Sequence, residues 1–135
     1  MPVFFAQDFK VTVGTVNLSS FVTSVSLEMN VDEVETTAFG SAARTRIAGL
    51  RDGSVSIDFN QDFAAGAVEA TLYPLLGTIA TVTLVPTSGT VNSTNPSYAV
   101  PCLVSQNVPI NGQVGDLATL SVTWPTSGTV TKATS

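Results

Sequence analysis

From Phe21 onward, apolar and polar residues alternate. Val25, Leu27, Met29 and Val31 take odd positions, with Ser24, Ser26, Glu28 and Asn30 between them. Period two sustained this far predicts a strand over Phe21–Val31 with one buried face. The same alternation returns after Asp52-Gly53, where Val55, Ile57 and Phe59 interleave with Ser54, Ser56, Asp58 and Asn60. A third run places Ala118, Leu120, Val122 and Trp124 against Thr119, Ser121 and Thr123. Ile79–Val85 is a β-branched run, and Tyr98–Val108 reads as a strand in which Pro101 removes one backbone donor, a mark of an edge or a bulge. Phe9–Val13, Gly14 and Val16–Leu18 read as a short hairpin. Asp52-Gly53, Asn111-Gly112 and Gly115-Asp116 carry turn chemistry.

One segment breaks the pattern. Val68, Leu72 and Leu76 recur every four positions within Ala64–Leu76, which predicts a short helix. Asp62 is placed to cap its start, and Pro74 followed by Gly77 ends it. The fold class is therefore mainly β, a β-sandwich or partly rolled barrel with one short α-helix. Pro-Thr-Ser-Gly-Thr-Val occurs twice, at Pro86–Val91 and Pro125–Val130, with no similarity around the copies. A turn solution used twice accounts for it better than a duplicated domain. The small polar residues that follow predict a mobile C-terminal tail at about 126–135.

Composition narrows the chemistry. The 135 residues suit one domain, 1–135, with a core of its own. Only 11% are charged, against the usual ~25%. Histidine is absent, which removes His-based triads and the commonest metal ligand. Cys102 is the single cysteine and sits among Val100, Leu103 and Val104, so a buried inert thiol is expected. Neither a cofactor nor a metal is implied. A net charge of −5 argues against gripping nucleic-acid phosphates. Met1-Pro2-Val3-Phe4-Phe5 lacks the basic n-region of a secretory signal, and no apolar run approaches the ~20 residues of a membrane span.

What charge exists is concentrated. Glu28, Asp32, Glu33, Glu35 and Asp52 are half of the acids, and Arg44, Arg46 and Arg51 are all of the arginines. They fall on or beside an extended inter-strand loop at about 31–53, whose periodicity is weak. A loop of that length in a small domain is usually functional. Asp32, Glu33, Glu35, Phe39, Arg44, Arg46 and Arg51 are thus read as an arm that docks on a neighbouring subunit, where Arg–carboxylate pairs would fix register. Catalysis by carboxylates is a poor fit. Asp32, Glu33 and Glu35 lie within four positions with no aromatic sugar platform nearby.

Three stretches, Val34–Gly53, Ala70–Gly77 and Val114–Thr119, carry a resemblance. The first holds Glu35-Thr36-Thr37-Ala38-Phe39-Gly40 and Gly49-Leu50-Arg51-Asp52-Gly53. In order and spacing they resemble tail tube (major tail) proteins of long-tailed bacteriophages, particularly of actinobacterial phages and prophages. Such subunits are β-sandwiches flanked by a helix. They form rings, commonly of six, that stack into a tube through which DNA passes. The resemblance implies a structural virion protein made in the host bacterial cytoplasm and assembled into the tail. It implies no enzyme activity and no membrane. The partners implied are other copies of the chain and tail proteins such as the terminator and tape measure. It also implies that the loop reaches a neighbouring ring, and that the tail after Trp124 crosses to a neighbour. An acidic lumen repels phosphates, so DNA passes without specific binding. Glu28 and Asp58, single acids on Ser/Thr/Asn strand faces, are the expected lumen-facing residues. A capsid decoration or head–tail connector protein is the alternative.

Overall fold

The structure is a computed structural model that describes Phe4, Phe5 and residues 7–135. Part of Met1–Phe5, the stretch read for a secretory signal, lies outside the described residues. In chain order the elements are β1 (Lys10–Val13), β2 (Val16–Asn17), a 3-10 turn (Ser19–Phe21), β3 (Val22–Glu35) and β4 (Arg46–Asn60). They continue with α1 (Val68–Leu75), β5 (Ile79–Val85), β6 (Ser97–Leu103), β7 (Thr119–Pro125) and β8 (Thr131–Ala133). Two antiparallel sheets result. One has the order β2-β1-β5-β6-β8 and the other β3-β4-β7. They do not close into a barrel, and the molecule is mainly β with one short helix, as the expected fold class has it.

The alternation explains the layers. Val55, Ile57 and Phe59 of β4 and Leu120, Val122 and Trp124 of β7 are buried and face the other sheet. Val11, Val13, Val82, Val100 and Cys102 answer from the five-stranded sheet, with Leu18, Val68 and Leu72 completing one core. The Trp124 indole donates to the Gln106 carbonyl at 2.9 Å, so its polar edge is satisfied in the core. Burial pushes the Cys102 thiol up to about 11, so it stays protonated and unreactive at neutral pH. The first hairpin is as expected. Val13 pairs with Val16 across Gly14-Thr15, and Gly14 takes the positive φ (63°) that a two-residue turn of this kind demands.

Several expectations are corrected. The segment at about 31–53 is not a loop. β3 and β4 pair through it as far as Glu35↔Arg46, leaving only 36–45 as the tip of a long hairpin. Asp52-Gly53 is no turn but lies inside β4, paired with Asn30 and Met29. The backbones approach closely there: a Cβ on Gly53 would overlap the Glu28 carbonyl. Glycine serves that contact rather than a reversal of the chain. Within segment 126–135, Thr126, Ser127 and β8 make contacts inside the subunit. Thr126 donates to the Gly53 carbonyl at 3.0 Å, Ser127 to that of Pro101 at 2.7 Å, and β8 pairs with β6 at Ser97–Ala99. The Ser127 contact lies on the side of β6 away from β5, where Pro101 needs no donor of its own.

The helix is shorter than predicted. Asp62 accepts from Ala64 N at 2.8 Å and so shapes the turn before the helix, while Ala67 takes the N-cap position without a side-chain cap. Leu76 lies beyond the helix and is exposed. Gly77, at φ 86°, ends the element as predicted and donates to the Val104 carbonyl at 2.8 Å. The repeated hexapeptide is not one turn used twice. Gly128 has a φ of 133° and Gly89 is not in the positive region, because different partners hold the copies. Asn95 and Asp8 hold the first, and the Gly53 and Pro101 carbonyls hold the second.

Gly53→Ala should destabilise the subunit by about 1–3 kcal/mol, since either β3 or β4 must shift to admit the methyl group. Urea denaturation checks this. Gly112→Ala, whose Cβ would meet only Ala118 at 3.8 Å, should leave the midpoint unchanged.

Candidate functional site: the hairpin arm and the polar sheet face

The three-stranded sheet has two dissimilar faces. Directly paired residues share a face, so the register assigns them. Ser24↔Asp58, Ser26↔Ser56 and Glu28↔Ser54 run along β3 and β4, and Ser56↔Thr123 and Asp58↔Ser121 extend the row to β7. This outer face is hydroxyl and amide with three acids, Glu28, Asp58 and the Asp52 paired with Asn30, and no base. Glu28 is exposed and accepts from the Asn30 amide at 3.1 Å, and Asp58 is half-buried. Ser56 and Thr123 share a hydrogen bond of 3.1 Å across the strands. Glu28 and Asp58, selected from separate strands, thus stand on one face.

Beyond Asn30 and Gly53 the pair leaves the body and becomes an arm. Its two strands are in register again after a bulge, where Asp32 faces both Gly49 and Leu50 between Val31↔Arg51 and Glu33↔Ala48. Gly49 fits this crossing, since a Cβ there would sit 3.0 Å from Asp32 Cβ and 3.1 Å from Val34 Cγ2. The bulge has a consequence for polarity. In the body the apolar residues of β3 are odd-numbered. In the arm Val34 and its partner Ile47 occupy the even face together with Leu50, whereas Glu33, Glu35 and Arg46 occupy the odd face. The arm therefore shows its apolar residues on the side where the body shows its polar ones.

No described residue buries them. Val34, Ile47 and Leu50 are exposed, Leu50 at 80%, and Phe39 at the tip is fully exposed. The tip is nonetheless built. Thr36 N donates to the Thr45 carbonyl at 2.7 Å, their hydroxyls share a hydrogen bond of 2.7 Å, and Thr45 N donates to Thr37 Oγ1 at 2.9 Å. Gly40 makes the reversal at φ 87°. Arg44 reaches Glu35 at 3.4 Å, the one ion pair among the described residues. Both side chains are exposed, so that pair adds little stability. Of the arm residues read from sequence, Glu35, Arg44 and Arg46 cluster near the tip, Asp32 and Glu33 lie at the bulge, and Arg51 sits at its base. Val34, Ile47 and Leu50 were missed. Their signal was the phase change between Val31 and Val34.

Two further features adjoin this sheet. β3 is an edge strand of 14 residues with one side unpaired. Beneath that edge the sheets splay, leaving an apolar groove of about 320 Å³ lined by Val25, Leu27, Met29, Leu84 and Tyr98, with Lys10. Among the described residues no cluster of three or more His, Cys, Asp or Glu could hold a metal ion, and no helix is long and apolar enough to cross a membrane.

No family model and no curated protein matches the chain. Solved structures do. A chain from the virion of the native gene transfer agent (GTA) particle aligns over 97% of this chain and 99% of its own, with a TM-score of 0.77 and 13% identity. A chain from the tail of the empty GTA particle, computed with helical refinement in C6 symmetry, aligns over 82% and 81%, with a TM-score of 0.61 and 16% identity. A chain of the six-fold symmetrised anti-feeding prophage (AFP) baseplate aligns over 98% and 96%, with a TM-score of 0.53 and 10% identity. What these chains share is the fold.

No residue from the arm belongs to the buried core. Replacing Asp32–Leu50 by Asn-Gly, so that Val31↔Arg51 closes a two-residue hairpin, should keep the fold. Near-ultraviolet circular dichroism of Trp124 and a cooperative melt should persist, and loss of either would place the arm in the folding unit.

Proposed function

We propose that the chain is a structural virion protein of the tail, which polymerises into stacked rings, six subunits to a ring, and forms the tube through which DNA passes. The observation that carries this reading is the arm, an ordered two-stranded projection whose apolar face is uncovered in the subunit. Exposed contiguous apolar surface on a rigid element marks a protein contact. Other copies of the chain are the natural partners for it, together with tail proteins such as a terminator and tape measure at the tube's ends. The fold shared with chains of GTA and AFP particles supports the reading. The C6 symmetry of the GTA tail and the six-fold AFP baseplate support the ring number.

The remaining surfaces fit the same scheme. The unpaired β3 edge, with the open groove beneath it, is suited to lateral pairing with the next subunit, since a long bare edge is a template for another strand. The Ser/Thr/Asn face would then line the channel. Glu28 and Asp58, without a base beside them, would repel phosphates and let DNA slide. Asp32, Glu33, Glu35, Phe39, Arg44, Arg46 and Arg51 would belong to the inter-subunit arm. The protein would be made in the bacterial cytoplasm and incorporated into the virion tail.

Negative-stain microscopy of the concentrated protein tests this reading. Rings or tubes with a central hole are expected. Monomers or compact trimers that bind only capsids would establish the alternative, a decoration or connector protein. With tubes in hand, Glu28→Lys with Asp58→Lys should convert a tube that ignores DNA into one that retains it at low salt, and added salt should reverse the effect. Unchanged retention would remove these two residues from the lumen.

A further inference from the structure

β7 is the second free edge of the three-stranded sheet, and it is not left bare. Successive carbonyls of a strand point to opposite sides. The Ala118 carbonyl points at β4, where it accepts from Gln61 N at 2.9 Å, so the Thr119 carbonyl points away from the sheet. Two side chains of the 104–118 segment meet this outer edge. Gln106 Oε1 accepts from Thr123 N at 3.1 Å, and Asn111 Nδ2 donates to the Thr119 carbonyl at 3.0 Å. Pro125, two positions beyond Thr123, has no N–H to offer there. Side chains stand where a further strand would otherwise pair.

Asn111 is also the one asparagine of the chain followed by glycine. Both residues are exposed, within a stretch, 104–113, that has no regular structure. Among the described residues the Gly112 N–H has no hydrogen-bond partner. Other asparagines lack these conditions. Asn95 precedes Pro96, which has no N–H, and Asn60 precedes Gln61, whose N–H is held by the Ala118 carbonyl. Asn92 is engaged at both ends of its amide, donating to the Thr90 carbonyl at 3.2 Å and accepting from Thr94 N at 2.9 Å.

We propose that Asn111-Gly112 is a site of spontaneous modification, and that its conversion uncovers the outer edge of β7. The Gly112 nitrogen attacks Asn111 Cγ and forms a C–N bond, while the bond from Cγ to Nδ2 breaks. Ammonia leaves with the proton given up by the Gly112 nitrogen, and a five-membered imide remains. Water then adds to either imide carbonyl and leaves aspartate or isoaspartate at position 111. Water is the only co-reactant. The tie to Thr119 meters the step, because it fixes the Asn111 side chain until this exposed bond opens. The product cannot re-form it: a carboxylate only accepts, and the Thr119 carbonyl is another acceptor. No cation stands by to hold the new charge, since neither 61–77 nor 104–118 contains a Lys or Arg, and Asp116 lies in the same loop. Release of the edge therefore runs one way. None of this requires assembly of the chain.

Incubation of the purified protein at neutral to mildly alkaline pH, read by peptide mass spectrometry and an isoaspartate assay, tests the site. Conversion at Asn111 should precede that at every other asparagine. It should quicken as pH rises, because the attacking nitrogen must shed its proton. Gly112→Ala should slow it about tenfold, since a side chain on the attacking residue crowds ring closure. The added Cβ would meet only Ala118, at 3.8 Å, so this variant keeps the fold and the loss is chemical. Earlier conversion elsewhere, or an equal rate in Gly112→Ala, overturns the site.

Limited proteolysis with thermolysin, which cuts beside apolar residues such as Ile110 and Val114, tests the uncovering. The converted protein, separated by its extra negative charge, should be cut within 104–118 about fivefold faster than the parent, the worth of one hydrogen bond. Asn111→Ala, which lacks the donor and adds no charge, should match it. Equal cleavage of all three overturns the uncovering. Faster cleavage of the converted protein alone assigns the effect to charge and overturns the role of the Thr119 tie.

Discussion

The pairing of β3 with β4 is the constraint on which the rest of the molecule depends. It is the longest ladder in the structure, and a single register has to serve two environments. Along Val25–Met29 it must present apolar side chains to the opposite sheet. Beyond Val31 there is no opposite sheet, yet the backbone bonds continue to Glu35↔Arg46. A two-stranded ribbon with neither face covered is marginal alone. Here it is anchored by the buried half of the same strands, so the sandwich core stabilises an element that contributes nothing to it. Gly53 marks the junction, where a Cβ would overlap the Glu28 carbonyl.

The bulge at Asp32 is where the two environments are separated. One extra residue on β4 rephases that strand against β3, and the choice of residues exploits it. Odd positions before the bulge are apolar because they face the core. Odd positions after it are Glu33 and Glu35, paired with Ala48 and Arg46. Had the earlier pattern continued, the arm would have shown a hydrophobic stripe on the core side, free to fold back over the apolar groove at Val25 and Leu27. Charge on that side opposes such collapse, and the apolar residues are turned to the other face.

The body of the fold was legible because period two is a strong signal when one face is buried. Val55–Phe59 and Leu120–Trp124 announce both their strands and their inward face. The arm was read as a loop because its apolar residues change phase, and a phase change looks like lost periodicity in a window that spans it. Asp52-Gly53 misled for a related reason. The dipeptide is the usual mark of a turn, but here glycine is required by a backbone neighbour that only the paired structure supplies. The C-terminal segment has no pattern at all. Its order comes from Pro101, Gly53 and Ser97–Ala99, each distant in sequence. Of the site residues, Glu28 and Asp58 could be chosen as acids on polar strand faces, and the register puts both on one face.

Scarcity of charge acquires a physical sense from this arrangement. On the proposed reading, the subunit has to remain dispersed before it meets its copies, and exposed apolar residues work against that. The conflict is eased by position. The apolar residues of the arm lie on one face of a narrow ribbon, backed by Glu33, Glu35 and Arg46 on the other. A hairpin cannot bury Phe39 or Leu50 against itself, and both stay exposed in the subunit. Hydroxyl and amide side chains make up most of the outer face of the three-stranded sheet, so it hydrates with little long-range repulsion. Low charge overall, with the arginines confined to one projection, leaves most of the surface electrostatically quiet.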